Sequence, residues 1–121
     1  MVSKKLSGSE REAALVKALN GRPIILIGLM GAGKTTIGRR LAKRLSIPFR
    51  DADHEIEAAA NLSVAEIFSQ HGEAHFRDGE KKVIARLLEQ GTHVLATGGG
   101  AWMNEETRST VKGRGVSVWL K

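Results

Sequence analysis

The run Gly28-Leu29-Met30-Gly31-Ala32-Gly33-Lys34-Thr35 satisfies the pattern G-x-x-x-x-G-K-[ST]. Each residue type in it has a job at an anion. Glycines let the backbone curl so that several N–H groups point at one phosphate. A helix opening from the loop adds its positive dipole end. The Lys34 ammonium is a point charge for the β and γ phosphates of a nucleotide. The Thr35 hydroxyl can ligate the Mg²⁺ that bridges those phosphates. The run follows an apolar segment and precedes a helical one, the context in which it binds phosphate. The phosphate-binding candidates are therefore Gly31, Ala32, Gly33, Lys34, Thr35 and Thr36, with Lys34 also a catalytic candidate.

Three further groups are candidates for the acceptor side. Asp51-Ala52-Asp53 stands where a short apolar segment gives way to a helical one. Asp53 can accept a hydrogen bond from a substrate hydroxyl and orient or deprotonate it. Asp51 can hold Mg²⁺ through its water shell. A helix cap beside a solvated acid accounts for the same residues. Arg77 has Glu80 one turn later to brace its guanidinium, an arrangement that suits bidentate capture of a carboxylate. An ordinary surface pair has the same spacing. Gly98-Gly99-Gly100 lose much chain entropy on ordering and make sense where a ligand approaches the backbone closely; a flexible turn is the alternative. Met30 is a candidate for the acceptor side of the loop. His71 and His75 have a metal-binding spacing but no third ligand beside them.

The elements that must position these residues can be read from periodicity and punctuation. Ser9-Glu10-Arg11-Glu12 has a capping-box pattern and opens a short amphipathic helix that Asn20-Gly21 stops. Residues 23–28 form a buried strand, residues 34–45 a helix, and residues 49–51 a second strand. Asp53 is predicted to cap the next helix, which Asn61 ends. Ser63-Val64-Ala65-Glu66 is a second capping box. A helix over residues 73–90 carries Phe76, Val83, Ile84, Leu87 and Leu88 on one stripe. Residues 94–97 form a third strand, from whose end the three glycines turn away. Asn104 caps a helix that Lys112-Gly113 ends, and Val116 to Leu120 form a fourth strand. Strands alternating with helices predict an α/β fold with a parallel sheet, here a P-loop NTPase three-layer α/β/α architecture. Residues 1–21 are an N-terminal extension with its short helix, and residues 22–121 the P-loop domain.

Taken in order and spacing, G-L-M-G-A-G-K-T, F-R-D-A-D-H-E-I-E at Phe49 to Glu57, F-R-x-x-E at Phe76 to Glu80 and G-G-G at Gly98 to Gly100 resemble shikimate kinases over residues 23–121. The resemblance implies a small kinase that transfers the γ-phosphoryl of ATP to the 3-hydroxyl of shikimate, on the route to chorismate and the aromatic amino acids. It implies that Asp53 holds shikimate hydroxyls, Arg77 the carboxylate, and Gly98, Gly99 and Gly100 the substrate through backbone contacts. It assigns ATP to residues 31–36 and Mg²⁺ to Thr35, with Asp51. Members of the family continue past the fourth strand into a lid arginine over ATP, a second carboxylate arginine, a fifth strand and an adenine-contacting segment. The chain ends at Lys121 ahead of these, so four strands of the parallel sheet are expected with the fifth missing. A gluconate-type or nucleoside monophosphate kinase shares the loop, and a non-catalytic nucleotide-binding fragment is a third reading.

The bulk composition fits this picture. The chain has 121 residues, 41% hydrophobic and 26% charged, which suits one domain with one core. Cysteine is absent, excluding disulfides and cysteine-based zinc sites. The longest apolar run, residues 24–29, is too short to span a bilayer, and residues 1–10 lack an apolar signal segment, so no membrane partner and a cytoplasmic location are expected. The net charge is +6, and the densest basic group, Arg39, Arg40, Lys43 and Arg44, has the spacing of a solvated helix face. Tyr is absent and little aromatic surface accompanies the basic residues, which argues against a nucleic-acid partner. A monomer is expected.

Overall fold

The computed structural model describes residues 8–28 and 32–120. Met30 and Gly31, both named above, lie outside them. The strands are β1 (Ile24–Gly28), β2 (Phe49–Asp51), β3 (Val94–Ala96) and β4 (Val116–Leu120). The helices are α1 (Gly8–Leu19), α2 (Ala32–Leu45), α3 (Ala52–Ala60), α4 (Val64–His71), α5 (Glu73–Leu87), α6 (Gly99–Trp102) and α7 (Glu105–Arg114). The strands form one parallel sheet in the order β2-β3-β1-β4. Parallel strands joined through helices need cover on both faces, and β1 shows it. Ile25 and Ile27 pack with α3, α5 and α7 through Ile56, Ile84, Leu87 and Val111. Ile24 and Leu26 face the other way, toward Leu19 of α1 and Ala42 and Leu45 of α2. The α/β/α layering is therefore written in the alternation along one strand.

From β1 the chain crosses to β2 on one side, and from β3 it crosses to β4 on the other. The connections leaving β1 and β3 thus diverge, and in open parallel sheets that divergence at the carboxyl ends opens a ligand crevice.

Several boundaries differ from the sequence expectation. Gly8 is already helical, so Ser9 lies inside the first turn of α1 and is not its cap; an N-cap must stand outside the helix with extended backbone. α1 docks on α2, with Glu12 Oε1 at 2.8 Å from Arg44 Nε. Helix α5 ends at Leu87 rather than Gln90, and α7 runs through Lys112-Gly113 to Arg114. Asn61 does close α3 in the left-handed conformation, and Ser63 with Glu66 forms a reciprocal capping box at α4.

The first glycine of the loop motif is fixed by the sheet. Gly28 has φ +110°, and a Cβ there would collide with the Leu120 carbonyl oxygen on the neighbouring strand. Both the backbone conformation and the contact exclude a side chain. Gly28→Ala is expected to cost about 2 kcal/mol or more of stability in urea unfolding; an unchanged midpoint would show that β1 and β4 do not approach this closely.

Candidate active site

The carboxyl ends of β2 and β3 and the first turns of α2 and α3 enclose a cleft of about 520 Å³. Lys34, Thr35 and Thr36 line it from α2, Asp51 and Asp53 from the β2–α3 junction, and Ala96, Thr97 and Gly98 from β3 and its exit. Helix α2 starts at Ala32 and carries no acidic residue in its first turn, so its positive dipole end is left for a ligand. Gly33, next in that turn, is exposed.

Lys34 is 8% exposed, and its Nζ donates to the backbone carbonyl of Thr97. An ammonium with three donors is thus held at the cleft by a neutral acceptor, and no ion pair is formed by Lys34 among the described residues. A buried cation with a neutral partner is an electrostatic setting for an anion.

Asp51, not Asp53, caps α3. It has extended backbone, and its Oδ1 accepts from the Asp53 and His54 amides at 2.9 and 3.3 Å. The helix already begins at Ala52, so Asp53 lies inside its first turn and cannot stand outside it as a cap. The other oxygen, Oδ2, faces Thr35 Oγ1 at 3.5 Å, too long for a strong hydrogen bond. One hydroxyl and one carboxylate oxygen therefore converge beside the start of α2, a donor set that hard cations accept.

Freed from capping, Asp53 projects from the first turn of α3 into the cleft. Its carboxyl is held above the ordinary carboxylate range, first by partial desolvation between the cleft walls and then by the Asp51 charge; Glu57 adds to the rise, while Lys34 and Arg77 oppose it. The side chain still reaches solvent, so the desolvation is incomplete. Two residues not singled out in the sequence also line the cleft, His54 and Glu57. The signal for Glu57 was its i, i+4 spacing from Asp53 on one helix face. Its Oε2 accepts from the Val64 amide at 2.8 Å, tying α4 to α3.

Arg77 stands beside this cleft on α5. Its Nη1 meets Glu80 Oε1 at 2.9 Å, and Glu73 Oε1 lies 3.7 Å from its Nε. The Glu80 side chain is only 6% exposed, so the pair is not an ordinary surface contact. Burial raises the Glu80 carboxyl, and the Arg77 hydrogen bond and charge pull it back down.

The three glycines form an ordered element rather than a turn. Gly98 is the extended residue ahead of α6, Gly99 opens that single helical turn, and Gly100 lies within it. Trp102, just beyond, packs edge-on against Trp119 of β4 with ring centroids 5.5 Å apart, away from the cleft lining. His71 and His75 stack at 4.6 Å in a separate, more apolar cleft between α3, α4 and α5.

Comparison with known proteins bears on the same constellation. The family model for shikimate kinase matches residues 30–121. The chain belongs to the shikimate kinase family. A shikimate kinase of Rhodopseudomonas palustris is 61% identical over 113 residues, covering 93% of this chain and 56% of that protein. One of Bradyrhizobium diazoefficiens is 62% identical over 110 residues, covering 91% of this chain and 53% of that protein. The chain thus spans about half the length of these curated relatives. Among solved structures, a shikimate kinase from Acinetobacter baumannii in complex with shikimate superposes with a TM-score of 0.80 at 44% identity, covering 87% of this chain and 59% of that one. The α/β architecture with its parallel sheet is thus that of shikimate kinases. No helix among the described residues is long and apolar enough to cross a membrane.

Proposed function

We propose that this chain forms the nucleotide and acceptor site of an ATP:shikimate 3-phosphotransferase. The observation that carries the reading is one cleft in which the Lys34 ammonium and the Asp53 carboxylate face each other while the Arg77 guanidinium bears on Asp53 from α5. Lys34, with the amides of Gly31, Ala32, Gly33, Thr35 and Thr36, holds the ATP phosphates. Asp53 accepts the hydrogen bond of the attacking hydroxyl and takes its proton as the new P–O bond forms and the bond to the β-phosphate oxygen breaks. Arg77, braced by Glu80, seats the substrate carboxylate. Backbone groups of Gly98 and Gly99 approach the ring, where no side chain intervenes. Mg²⁺ fits Thr35 Oγ1 and Asp51 Oδ2, where it would neutralise phosphate charge.

Because the chain spans about half of its relatives' length, binding rather than turnover is the direct test. Calorimetry of this chain with ADP–Mg²⁺ is expected to give saturable binding, and shikimate is expected to bind better than gluconate or a nucleoside monophosphate. Preference for either of those acceptors would sink the reading. A coupled ATPase assay with shikimate separates a competent kinase from a fragment that binds without transfer.

A further inference from the structure

We infer that Gly100 is a positioning residue for Arg77: it lacks a side chain so that the Arg77 guanidinium can lie against its backbone and point into the acceptor site. The backbone does not ask for glycine here. Gly100 lies in α6 and is absent from the positive-φ glycines among the described residues. In a helical turn alanine is preferred over glycine by roughly 0.5–1 kcal/mol. Space is the constraint. A Cβ at Gly100 would stand 2.6 Å from Arg77 Nη1, 2.6 Å from Nη2 and 2.8 Å from Cζ. All three distances are well inside van der Waals contact, and both terminal nitrogens are met equally, so rotating the fork about its own axis does not escape the collision.

The guanidinium has few ways to yield. Glu80 Oε1 holds Nη1 at 2.9 Å from a nearly buried carboxylate, Glu73 lies 3.7 Å from Nε, and the Phe76 ring lies 5.2 Å from Cζ. A methyl at position 100 therefore moves the guanidinium away from α6 and breaks its contact with Glu80. The collision falls on the far end of a flexible side chain, so the fold survives while the orientation is lost. This gives the third glycine of the run a role different from a contact with the substrate. By contrast, a Cβ on Gly98 would meet nothing within 4 Å. The inference rests on Arg77 being the carboxylate clamp, as proposed above.

The test compares the parent chain, Gly100→Ala, Arg77→Lys and the double variant. Arg77→Lys retains a cation but has no planar fork for the new methyl to strike. Gly100→Ala is expected to shift the Arg77 Nε–H resonance and to raise the titration midpoint of Glu80 in NMR, because Arg77 no longer lowers it. Shikimate affinity is expected to fall roughly tenfold or more, the loss typical of a charge-assisted bond, with ADP affinity within about twofold. In the Arg77→Lys background, Gly100→Ala is expected to change shikimate affinity less than about twofold. If Gly100→Ala fails to fold while the double variant folds, the collision with Arg77 is demonstrated directly. The inference is overturned if the Arg77 resonance and the Glu80 titration stay at their parent values, or if Gly100→Ala weakens shikimate equally in both backgrounds. Failure of the parent chain to bind shikimate sinks the proposed function, and the two NMR readouts then still decide the role of Gly100.

Discussion

Lys34→Met is expected to weaken ADP–Mg²⁺ binding by about 10- to 100-fold while leaving thermal stability unchanged or raised. The affinity loss follows from the ammonium's place at the cleft: hydrogen bonds to charged groups contribute about 1.5–3 kcal/mol, and a phosphate would give this ammonium a directly bonded anionic partner, which the Thr97 carbonyl is not. The stability side follows from its burial. At 8% exposure, the ammonium has given up most of its water and has a neutral carbonyl, Thr97 O, in return. Without a ligand this is an unfavourable arrangement. Methionine keeps the unbranched stem and its packing while removing the desolvated charge; the Thr97 carbonyl that it leaves without a partner limits the gain. A residue that costs the apo fold and serves the ligand is the signature of a functional site. Arg40→Ala, on the exposed face of the same helix, is expected to move neither quantity measurably. The readouts are calorimetry and a thermal melt on each variant. Equal ADP affinity for Lys34→Met and the parent would remove the phosphate site.

What was legible in the sequence, and what was not, divides along the range of the interactions. The buried strand at β1, the apolar stripe of α5 and the Ser63–Glu66 box are local patterns, and the structure repeats them because burial and capping act within a few residues. The cap of α3 was assigned to the wrong aspartate. Two acids separated by one alanine both look like caps, and the choice depends on where β2 stops pairing with β3, which is set by the register Asp51↔Ala96. Glu80 was read as a brace for Arg77, with an ordinary surface pair as the alternative. Its burial on the same side as Phe76 and Val83 was hidden because an apolar stripe counts only apolar residues. The bond from Lys34 to the Thr97 carbonyl spans 63 positions and has no local trace. Nor does the enclosure of His93: its Nδ1 lies 2.8 Å from the Gly91 carbonyl, and its buried Nε2 has no hydrogen-bond partner among the described residues. The glycine run shows the same limit. Composition suggested closeness to a ligand, but what Gly100 lies against is a side chain brought over from α5.

Asp53→Asn is expected to reduce shikimate affinity by roughly 10- to 100-fold at neutral pH, and any phosphoryl transfer by about 10²- to 10⁴-fold, the range for a general base. Its sharper signature is the dependence on pH. The folded protein holds the Asp53 carboxyl above its ordinary value of 3.8, chiefly by desolvation and then by repulsion from Asp51. The group must be ionised to accept the hydroxyl proton, so shikimate binding to the parent should weaken as pH falls through that raised value, earlier than for a free aspartate. The Asn variant should lose that limb of the profile. The stability consequence has the opposite sign. A carboxyl that binds its proton more tightly folded than unfolded favours the fold in acid; as pH rises through the unfolded and then the folded value, that advantage is lost and the charge becomes a cost. Asp53→Asn should therefore melt at or above the parent temperature at pH 7, with the difference shrinking in acid. Lys34 and Arg77 oppose the shift, and both are cations that the proposed ligands would engage. Occupying the phosphate site with ADP should then weaken the pull of Lys34 on Asp53 and move the shikimate pH profile further toward neutrality. A profile that keeps its acid limb in the Asn variant would assign that limb to another group and remove Asp53 from the role of base.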